Sequence, residues 1–512
     1  MSALSFAARR LRTQVFWDIG RISNVFLGIS ACFFLVLCTD YLVLITLQRK
    51  ALCQMKKEFF EVPFYTYVII NDMNTINQNQ GKKVAFITLG CKVNQYDSDA
   101  MRSLFLRRGY TASEDGHADV YVINTCSVTS VGDKKSRQMI RRIRREHPHA
   151  IIAAAGCYAQ LAPEEVAKTG CDVIVGNQNR AHIVDYIEEA AEGKVLNKVV
   201  DIMKVKDFEN LSVDPEGEEK TRAFIKVQEG CNNFCTFCII PYARGRLKSR
   251  KQDDAVREAA SLVAKGYREI VLTGIHLGNY GKDLHDGTNL STLVDALLAI
   301  PDLARIRLGS IESVELSEEL IRIIREEPRV CSHLHLPIQS GSEAVLRRMN
   351  RHYHLQEFKD LIAELREKIP GLALTTDLIV GFPGETEEHF KETLDTLREL
   401  KFSGIHVFPY SQRTGTPAAT YPDQVPGPVK KERVHRVEEL EKDISREYRM
   451  GFLGKTVRVL AEEEKHGLFE GLSDEYIRVS IKGMHITRGR VYQVKVEALT
   501  DDGLIGTAEE EI

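Results

Sequence analysis

The chain has 512 residues, of which 43% are hydrophobic and 28% charged, and its net charge is −3. This length excludes a single ordinary domain and predicts roughly three to four, while the composition allows most of the chain to bury a core. The near-neutral charge means that a nucleic-acid partner would have to be bound by local basic patches. Eleven scattered cysteines favour a reducing compartment, with some cysteines binding metal and the others in the core.

Residues 1–80 differ from the rest of the chain. The stretch 25–47 is apolar except for one aspartate and exceeds the roughly 20 residues that a bilayer span needs. Cations flank it on both sides, so its orientation stays undecided. It is interpreted either as a membrane anchor or as upstream sequence read through from a wrong start, with the natural start near Met73. We favour the second, and therefore a cytoplasmic protein without an obligate membrane partner.

From residue 82 to residue 200, short apolar runs alternate with charged amphipathic stretches. This rhythm is typical of β/α units around a parallel sheet and predicts an open α/β domain. Its strand candidates are Val84–Leu89, Val120–Asn124, Ile151–Ala155 and Val173–Val175.

A polar, acidic segment, Asp207–Lys220, is then typical of a linker. A second α/β series occupies residues 217–450 and ends in a charged helix, Lys430–Met450. It has six β/α units, fewer than the eight that close a full barrel, which predicts an incomplete one. The strand candidates are Ala223–Val227, Glu269–Leu272, Arg305–Leu308, Leu334–Leu336, Leu372–Ile379 and Gly404–Phe408.

The last residues, 451–512, are typical of an all-β module. Apolar runs around Thr456–Leu460, Tyr476–Ile481 and Val491–Ala498 are separated by glycine turns, as in a small barrel.

Cys231, Cys235 and Cys238 follow the first strand of the barrel series at close spacing. Three thiolates at such spacing can hold three irons of a 4Fe-4S cluster and leave the fourth iron open. Structural zinc is the alternative, but it needs four protein ligands and no fourth cysteine or histidine lies nearby in sequence. With an aromatic residue, Phe237, before the last cysteine, the motif resembles the radical S-adenosylmethionine superfamily. The resemblance implies that the open iron binds S-adenosylmethionine.

Polar or glycine-rich groups follow the strands of the series, where the active sites of β/α barrels lie. Taken singly, each is an ordinary turn. In the superfamily, the glycine segments after strands two and five contact the cofactor. The resemblance therefore implies cofactor-binding roles for Phe237, Gly274, Glu312, Asp377 and Gly381.

Three further cysteines lie near the ends of the first three strands of residues 82–200: Cys91, Cys126 and Cys157. Ligands of open parallel sheets bind outside the carboxyl ends of the strands, so adjacent strand ends can bring these thiols together. We predict a second cluster with three protein ligands and an open site. Cys171 and Cys331 are interpreted as core residues, as lone buried cysteines usually are.

The cysteines of this trio lie in Thr88-Leu-Gly-Cys-Lys-Val-Asn-Gln-Tyr-Asp-Ser98, Asn124-Thr-Cys-Ser and Gly156-Cys-Tyr-Ala-Gln160. Together with the Cys231 motif and the C-terminal β module, they resemble the methylthiotransferase family. The fold implied is α/β: a flavodoxin-like open parallel sheet, a partial (β/α)6 TIM-like barrel, and a small OB-like β-barrel, the RNA-binding TRAM domain.

Members of that family differ in substrate. Two segments, the sequence around Cys91 and Thr273-Gly-Ile-His-Leu-Gly-Asn-Tyr280, are similar to those of one group of the family. This group modifies threonylcarbamoyladenosine beside the tRNA anticodon. Isopentenyladenosine in tRNA and a ribosomal protein are the alternative substrates.

The resemblance implies two 4Fe-4S clusters and S-adenosylmethionine, which is cleaved to a radical at the Cys231 motif. The second cluster, on Cys91, Cys126 and Cys157, would deliver sulfur. A reducing partner such as flavodoxin or ferredoxin and a sulfur donor are implied as well. Two rivals stay open: a radical enzyme of another chemistry with inert N-terminal cysteines, and a zinc-containing RNA-binding protein without turnover.

Basic residues agree with a tRNA partner. Arg137, Arg141 and Arg145 recur at every fourth position and so share a helix face, although such a run is also typical of a solvated face. Arg244 and Arg246 follow the cysteine motif and are predicted near the mouth of the barrel. Contacts of these residues to phosphate would make affinity strongly salt-dependent, and a single-stranded anticodon loop can splay its bases into a pocket.

Overall fold

A computed structural model describes residues 79, 81–113, 115–191, 195–214 and 221–512. The apolar stretch 25–47 and the start near Met73 lie outside the described residues. Within these ranges, no helix is both long and apolar enough to cross a membrane.

A six-stranded parallel sheet forms the first domain. Its strand order, β2-β1-β3-β4-β5-β6, is the flavodoxin-like order with one strand added at an edge. Helices cover both faces, so every residue of the central strand β3 is buried. The four predicted strands are confirmed, whereas β2 and β6 are only two residues long and give no sequence pattern. The strands are β1 (Lys83–Thr88), β2 (Thr111–Ala112), β3 (Val120–Thr125), β4 (Ile151–Gly156), β5 (Val173–Ile174) and β6 (Leu196–Asn197).

The helices of this domain present narrow apolar stripes to the sheet. The helix α2 begins at Thr129, whose hydroxyl accepts a hydrogen bond from Gly132 N at 3.1 Å. Only Ser136, Ile140 and Ile143 of this helix are buried, and these positions lie on one face. The helices are α1 (Lys92–Arg107), α2 (Ser130–Glu146), α3 (Cys157–Leu161), α4 (Pro163–Ala167) and α5 (Ile183–Ala190).

The predicted linker is hydrogen-bonded to the domains on both sides of it, as far as residue 214. Tyr96 Oη on α1 donates to Leu211 O at 2.6 Å, and Val213 N donates to Glu258 Oε1 at 2.7 Å. Residues 215–220 of the linker lie outside the described ranges.

Six parallel strands form the incomplete barrel that the sequence predicts. They make two three-stranded sheets, joined by bridges between Ile306 and Val330 and between Ser310 and His335. Among the described strands, the first and last do not pair, so the barrel has an open side. The strands are β7 (Arg222–Lys226), β10 (Glu269–Thr273), β11 (Arg305–Leu308), β12 (His333–His335), β13 (Ala373–Val380) and β14 (Gly404–Pro409).

A short antiparallel hairpin of β8 (Gln228–Glu229) and β9 (Lys248–Ser249), which the sequence does not predict, brackets the three-cysteine loop. Most helices of this domain pack outside the barrel strands, whereas α6 contacts α3 of the first domain. The last helix confirms the predicted charged helix. The helices are α6 (Ile240–Arg244), α7 (Gln252–Ala264), α8 (Leu290–Leu298), α9 (Glu318–Glu326), α10 (Glu343–Arg348), α11 (Leu355–Lys368), α12 (Glu387–Leu400) and α13 (Gly427–Met450).

The C-terminal module is a closed five-stranded barrel in the order β15-β16-β17-β19-β18, consistent with an OB-like TRAM domain. Its core includes Val459, Val479, Val494 and Leu504. The predicted run Tyr476–Ile481 is wrong at its start, because Tyr476 has a φ of +64° and belongs to a turn. The strands are β15 (Thr456–Lys465), β16 (Leu468–Ser473), β17 (Arg478–Lys482), β18 (Val491–Leu499) and β19 (Leu504–Glu511).

A buried network of charged residues joins the flavodoxin-like domain to the barrel. Asp97 on α1 pairs with Arg180 at 2.5 Å and with Arg244 at 3.2 Å. It also pairs with Lys226 of β7, which bonds Glu229 at 2.7 Å. Burial raises the pKa of Asp97, but these cations outweigh it and hold that pKa below its ordinary value. Each charge is therefore compensated by a charge from another part of the chain.

We expect Asp97→Asn to lower the free energy of unfolding by about 3–5 kcal/mol, because it leaves buried cations undercompensated. Urea denaturation measures this change. The control is Asp115→Asn, which removes an exposed carboxylate that pairs with Lys83 at 3.1 Å and should leave stability as it is. Equal stability of the two variants would contradict a structural role for the network.

Candidate functional site

The first three cysteines lie together at the carboxyl edge of the parallel sheet, as predicted. Cys91 caps α1 after β1, Cys126 directly follows β3, and Cys157 directly follows β4. The three thiols influence one another electrostatically. Gly90 allows the loop after β1 to pass close to Cys126, since a Cβ on this residue would lie 3.0 Å from Cys126 Sγ. Its φ of +111° also favours glycine.

The surroundings of this trio suit metal ligation. Burial raises the pKa of Cys126 to about 11, and it raises the pKa of Cys157 as well. Such thiols stay protonated until a metal displaces the proton. Two donors from elsewhere in the chain point at Cys157 Sγ, Arg244 Nε at 3.3 Å and Asn177 Nδ2 at 3.6 Å. They stabilise a thiolate and orient it.

The second three cysteines lie in one loop between β8 and α6. Cys238 N donates to Cys235 O at 2.9 Å, and Asn233 N donates to Cys231 Sγ at 3.4 Å, so the loop folds back on itself. Burial raises the pKa of Cys238 to about 12. Arg351 Nη1 donates to Cys235 Sγ at 3.5 Å.

His276 contacts this loop. In the sequence analysis it belongs only to a segment that is similar to one group of the family. His276 Nδ1 lies 3.5 Å from Cys231 Sγ, and its Nε2 lies 2.6 Å from the buried carboxylate of Glu315. Burial lowers the pKa of His276, but the hydrogen bonds to Cys231 and Glu315 together with the charge of Glu315 raise it to about 10. At neutral pH this is a charged donor beside Cys231.

Each trio supplies three thiols, which matches the ligand set of a 4Fe-4S cluster with one open iron. One zinc brings its sulfur ligands within about 4 Å of each other, whereas a 4Fe-4S cluster spreads three thiolates over three irons. The donor chemistry, cysteine only, is also that of iron–sulfur clusters.

Two of the predicted cofactor-binding residues lie one contact away from the cysteine loop. Glu312 pairs with Arg351, the residue that donates to Cys235. Gly274 packs on Gln228, whose Oε1 accepts from His276 N at 2.6 Å, and a Cβ on Gly274 would come within 2.9 Å of that oxygen.

Of the other three predicted residues, Phe237 belongs to the cysteine loop itself, and Asp377 and Gly381 lie on or directly after β13. Phe237 packs against a cluster with Phe382 and Tyr410. Gly381, at the end of β13, has a φ of +71° and is covered by Lys430. Asp377 on β13 lies 3.3 Å from His335 Nε2. Contacts of all five predicted residues with the cofactor stay predictions.

The predicted RNA-binding arginines separate into exposed and buried ones. Arg141 and Arg145 are exposed on α2, Arg246 is exposed over the Phe234 ring, and Arg137 is half-buried with a 2.7 Å bond to the Tyr158 hydroxyl. The prediction for Arg244 is wrong, because its guanidinium is fully buried among carboxylates and cannot reach a phosphate. Two further basic residues that follow the motif are buried as well, Lys248 and Arg250.

The lumen of the open barrel is polar. Alternate residues of a strand face opposite sides, and Ile306, Leu334, Leu374 and Ile405 belong to the apolar core beneath the helices. Their neighbours therefore face the lumen. These are Arg305, Arg307, His333, His335, Thr375, Asp377 and His406.

A loop of the C-terminal module, residues 474–476, reaches this lumen. Tyr476 stacks on His333 with ring centroids 4.8 Å apart and lies under the Arg307 guanidinium. Its hydroxyl accepts from Lys92 Nζ at 3.3 Å, and Lys92 directly follows Cys91. Asp474 accepts from Arg305 Nη1 at 3.0 Å. Three domains thus meet beside the first cysteine trio, an arrangement that no local sequence pattern indicates.

Two family models match the chain. The radical SAM superfamily matches residues 225–397, and uncharacterized protein family UPF0004 matches residues 83–176. Each match contains one of the two cysteine trios.

Curated relatives cover most of the chain. A threonylcarbamoyladenosine tRNA methylthiotransferase MtaB of Bacillus subtilis is 47% identical over 421 residues, which span 81% of this chain and 93% of the relative. The MtaB of Thermotoga maritima is 38% identical, over 83% of this chain and 96% of its own. A tRNA-2-methylthio-N(6)-dimethylallyladenosine synthase of Acetivibrio thermocellus is 38% identical, over 77% and 83%.

Among solved structures, the radical S-adenosylmethionine methyltransferase TsrM from Kitasatospora setae, with cobalamin and a 4Fe-4S cluster bound, has a TM-score of 0.50 at 16% identity. The match covers 66% of this chain and 77% of TsrM. At this identity the likeness supports the fold alone.

We expect Cys126→Ser to lower the iron content after anaerobic reconstitution from about eight to about four per chain, because one of two clusters loses a ligand. Iron and labile-sulfide assays measure this. Cys171→Ala, which alters a buried cysteine beside Thr169, should keep the full content. Unchanged iron in Cys126→Ser would remove Cys126 from the ligand set.

Proposed function

Because the chain belongs to the tRNA methylthiotransferase family of radical S-adenosylmethionine enzymes, we propose that it converts N6-threonylcarbamoyladenosine beside the tRNA anticodon to the 2-methylthio derivative. The observation that carries this proposal is the pairing of two cysteine trios on two domains that are tied together by buried charges. The similarity to MtaB at 47% identity supports the substrate.

Each domain has one task in this proposal. Residues 82–200 hold the sulfur-delivering cluster through Cys91, Cys126 and Cys157. Residues 217–450 hold the second cluster through the Cys231 loop, with S-adenosylmethionine on its open iron, and residues 451–512 bind RNA. When bound, these cofactors would supply the radical that removes hydrogen from adenine C2 and the sulfur that replaces it, with the methyl group taken from another S-adenosylmethionine.

The chain itself positions these groups. Arg351, held by Glu312, orients Cys235, and the pair of His276 and Glu315 orients Cys231. On the other side, Arg413 of the barrel donates to Ser127 Oγ at 2.7 Å and pairs with Asp133 at 2.7 Å. It fixes the loop that carries Cys126.

Outside partners complete the proposed reaction. The adenine has to be presented by tRNA, whose phosphates the exposed arginines of α2 and Arg246 can bind. A reducing partner such as flavodoxin or ferredoxin supplies electrons, and a sulfur donor restores the delivering cluster. Because tRNA is the substrate, we place the reaction in the cytoplasm.

Deletion of the gene should remove the methylthio form of threonylcarbamoyladenosine from cellular tRNA and leave its precursor to accumulate. Mass spectrometry of tRNA nucleosides measures both, and complementation with the wild-type gene is the control. Loss of the isopentenyl derivative instead would keep the enzyme class and overturn the substrate. If neither nucleoside changed, the tRNA proposal would fail.

Arg141→Ala combined with Arg145→Ala should weaken tRNA binding and reduce the slope of log affinity against log salt by about two, because each lost phosphate contact accounts for about one. Binding titrations at several salt concentrations measure the slope. Arg322→Ala is the control, since this exposed arginine lies on α9 between Glu319 and Glu326. An unchanged slope in the double variant would exclude this face of α2 from the interface.

A further inference from the structure

The two substrates named for the curated relatives differ in one chemical group. The threonylcarbamoyl substituent ends in a carboxylate, whereas the dimethylallyl substituent is a hydrocarbon. An enzyme that binds the first needs a cation near the place where the adenine is presented, because desolvating an unpaired carboxylate is costly. The candidates are the cations of the described residues that border the lumen and have no carboxylate partner.

Most cations that border the lumen already have carboxylate partners. Arg305 and Arg307 bond Glu269, Arg222 pairs with Glu462 at 2.7 Å, and Lys226 belongs to the buried network at the domain junction. Lys92 is different: it makes no ion pair with a carboxylate of the described ranges. The contacts recorded for its Nζ are the hydroxyl and the ring of Tyr476.

Lys92 lies beside the first cysteine trio. It is the first residue of α1, directly after Cys91, and its side chain is exposed. Nζ lies 3.3 Å from the Tyr476 hydroxyl and 5.3 Å from the ring centroid. Although burial raises the pKa of Tyr476, the charge of Lys92 contributes most to lowering it below its ordinary value. The ammonium therefore lies beside the ring that stacks on His333 of the lumen.

The other side chains near Lys92 leave its ammonium available to bind a ligand. Lys92 has three N–H donors, of which the Tyr476 hydroxyl takes one. Asp377, one of the nearby acidic residues, lies 3.3 Å from His335 Nε2, and Glu462 pairs with Arg222. The adjacent His406 faces the same space, and its pKa is lowered by burial and by the charges of His335 and Lys92.

We propose that Lys92, with the Tyr476 hydroxyl, binds the carboxylate of the threonylcarbamoyl group and determines the preference for this substrate over one with a hydrocarbon substituent. This inference rests on the proposed function. Lys92 donates to one carboxylate oxygen, and the Tyr476 hydroxyl, turned towards the ligand, donates to the other. Because Lys92 adjoins Cys91, the same contact holds the adenine close to the sulfur-delivering trio.

The test uses the full chain with reconstituted clusters and synthetic anticodon stem-loops carrying threonylcarbamoyladenosine, its neutral methyl ester, or isopentenyladenosine. Lys92→Gln should raise KM for the acid by about 10- to 100-fold, the loss expected for one charged hydrogen bond, with a smaller change in kcat. Its KM for the ester should stay as in the wild type, and Lys92→Arg should retain most of the preference for the acid.

Controls separate binding from cluster damage. Lys168→Gln changes an exposed lysine of the same domain that pairs with Glu165 and should behave as wild type. Iron content should be equal in all variants, since Lys92 supplies no ligand. Tyr476→Phe, which lies in another domain and cannot disturb Cys91 directly, should raise KM for the acid alone.

Two results would overturn the inference: an unchanged KM for the acid in Lys92→Gln, or an equal loss of activity on the acid and the ester. Failure of the proposed function is a distinct outcome. In that case the wild-type enzyme itself would not modify the threonylcarbamoyl stem-loop, whatever the variants do.

Discussion

The buried pairing of Asp97 with Arg244 is the interaction on which the rest of the site depends. Asp97 belongs to the helix that Cys91 caps, and Arg244 ends the short helix that follows Cys238. Arg244 also donates to Cys157 Sγ at 3.3 Å. One guanidinium therefore touches a ligand of one trio while it belongs to the segment that carries the other. Since an uncompensated buried charge is costly, the two domains can dock in only one register, and that register sets the separation of the two cysteine trios.

The open side of the barrel explains the role of the C-terminal module. With six strands, the lumen would stay open to solvent between β7 and β14, and its arginines and histidines would be hydrated. The 474–476 loop supplies an acceptor to Arg305 and an aromatic face to His333, so it covers part of the polar lumen. The same loop reaches Lys92. A module expected to bind RNA thus also contacts the residue that directly follows Cys91.

Sequence patterns predict the features that short segments determine, such as strands. They miss the features that depend on contacts between residues far apart in the sequence. The six barrel strands agree with the structure to within about one residue, because alternation and strand-end motifs are short-range. The trio of Cys91, Cys126 and Cys157 followed from parallel strands sharing a carboxyl edge. Arg244 was misassigned because a basic run does not reveal that a carboxylate from 147 residues earlier neutralises it. The run around Tyr476–Ile481 predicts a strand, although Tyr476 itself adopts a left-handed turn conformation in which it stacks on His333.

A common electrostatic design links the two trios. Each has a cationic side chain bonded to a cysteine sulfur, and each of these cations is held by a carboxylate: Arg244 by Asp97, Arg351 by Glu312, and His276 by Glu315. Burial raises the pKa of four of the six thiols, Cys126, Cys157, Cys235 and Cys238, so these four would keep their protons until a metal displaces them. A cluster held by these cysteines would replace their protons with iron and would place negative sulfur where donors already point. These three cationic donors are positioned by their carboxylate partners, so their positions do not depend on the cysteine sulfurs.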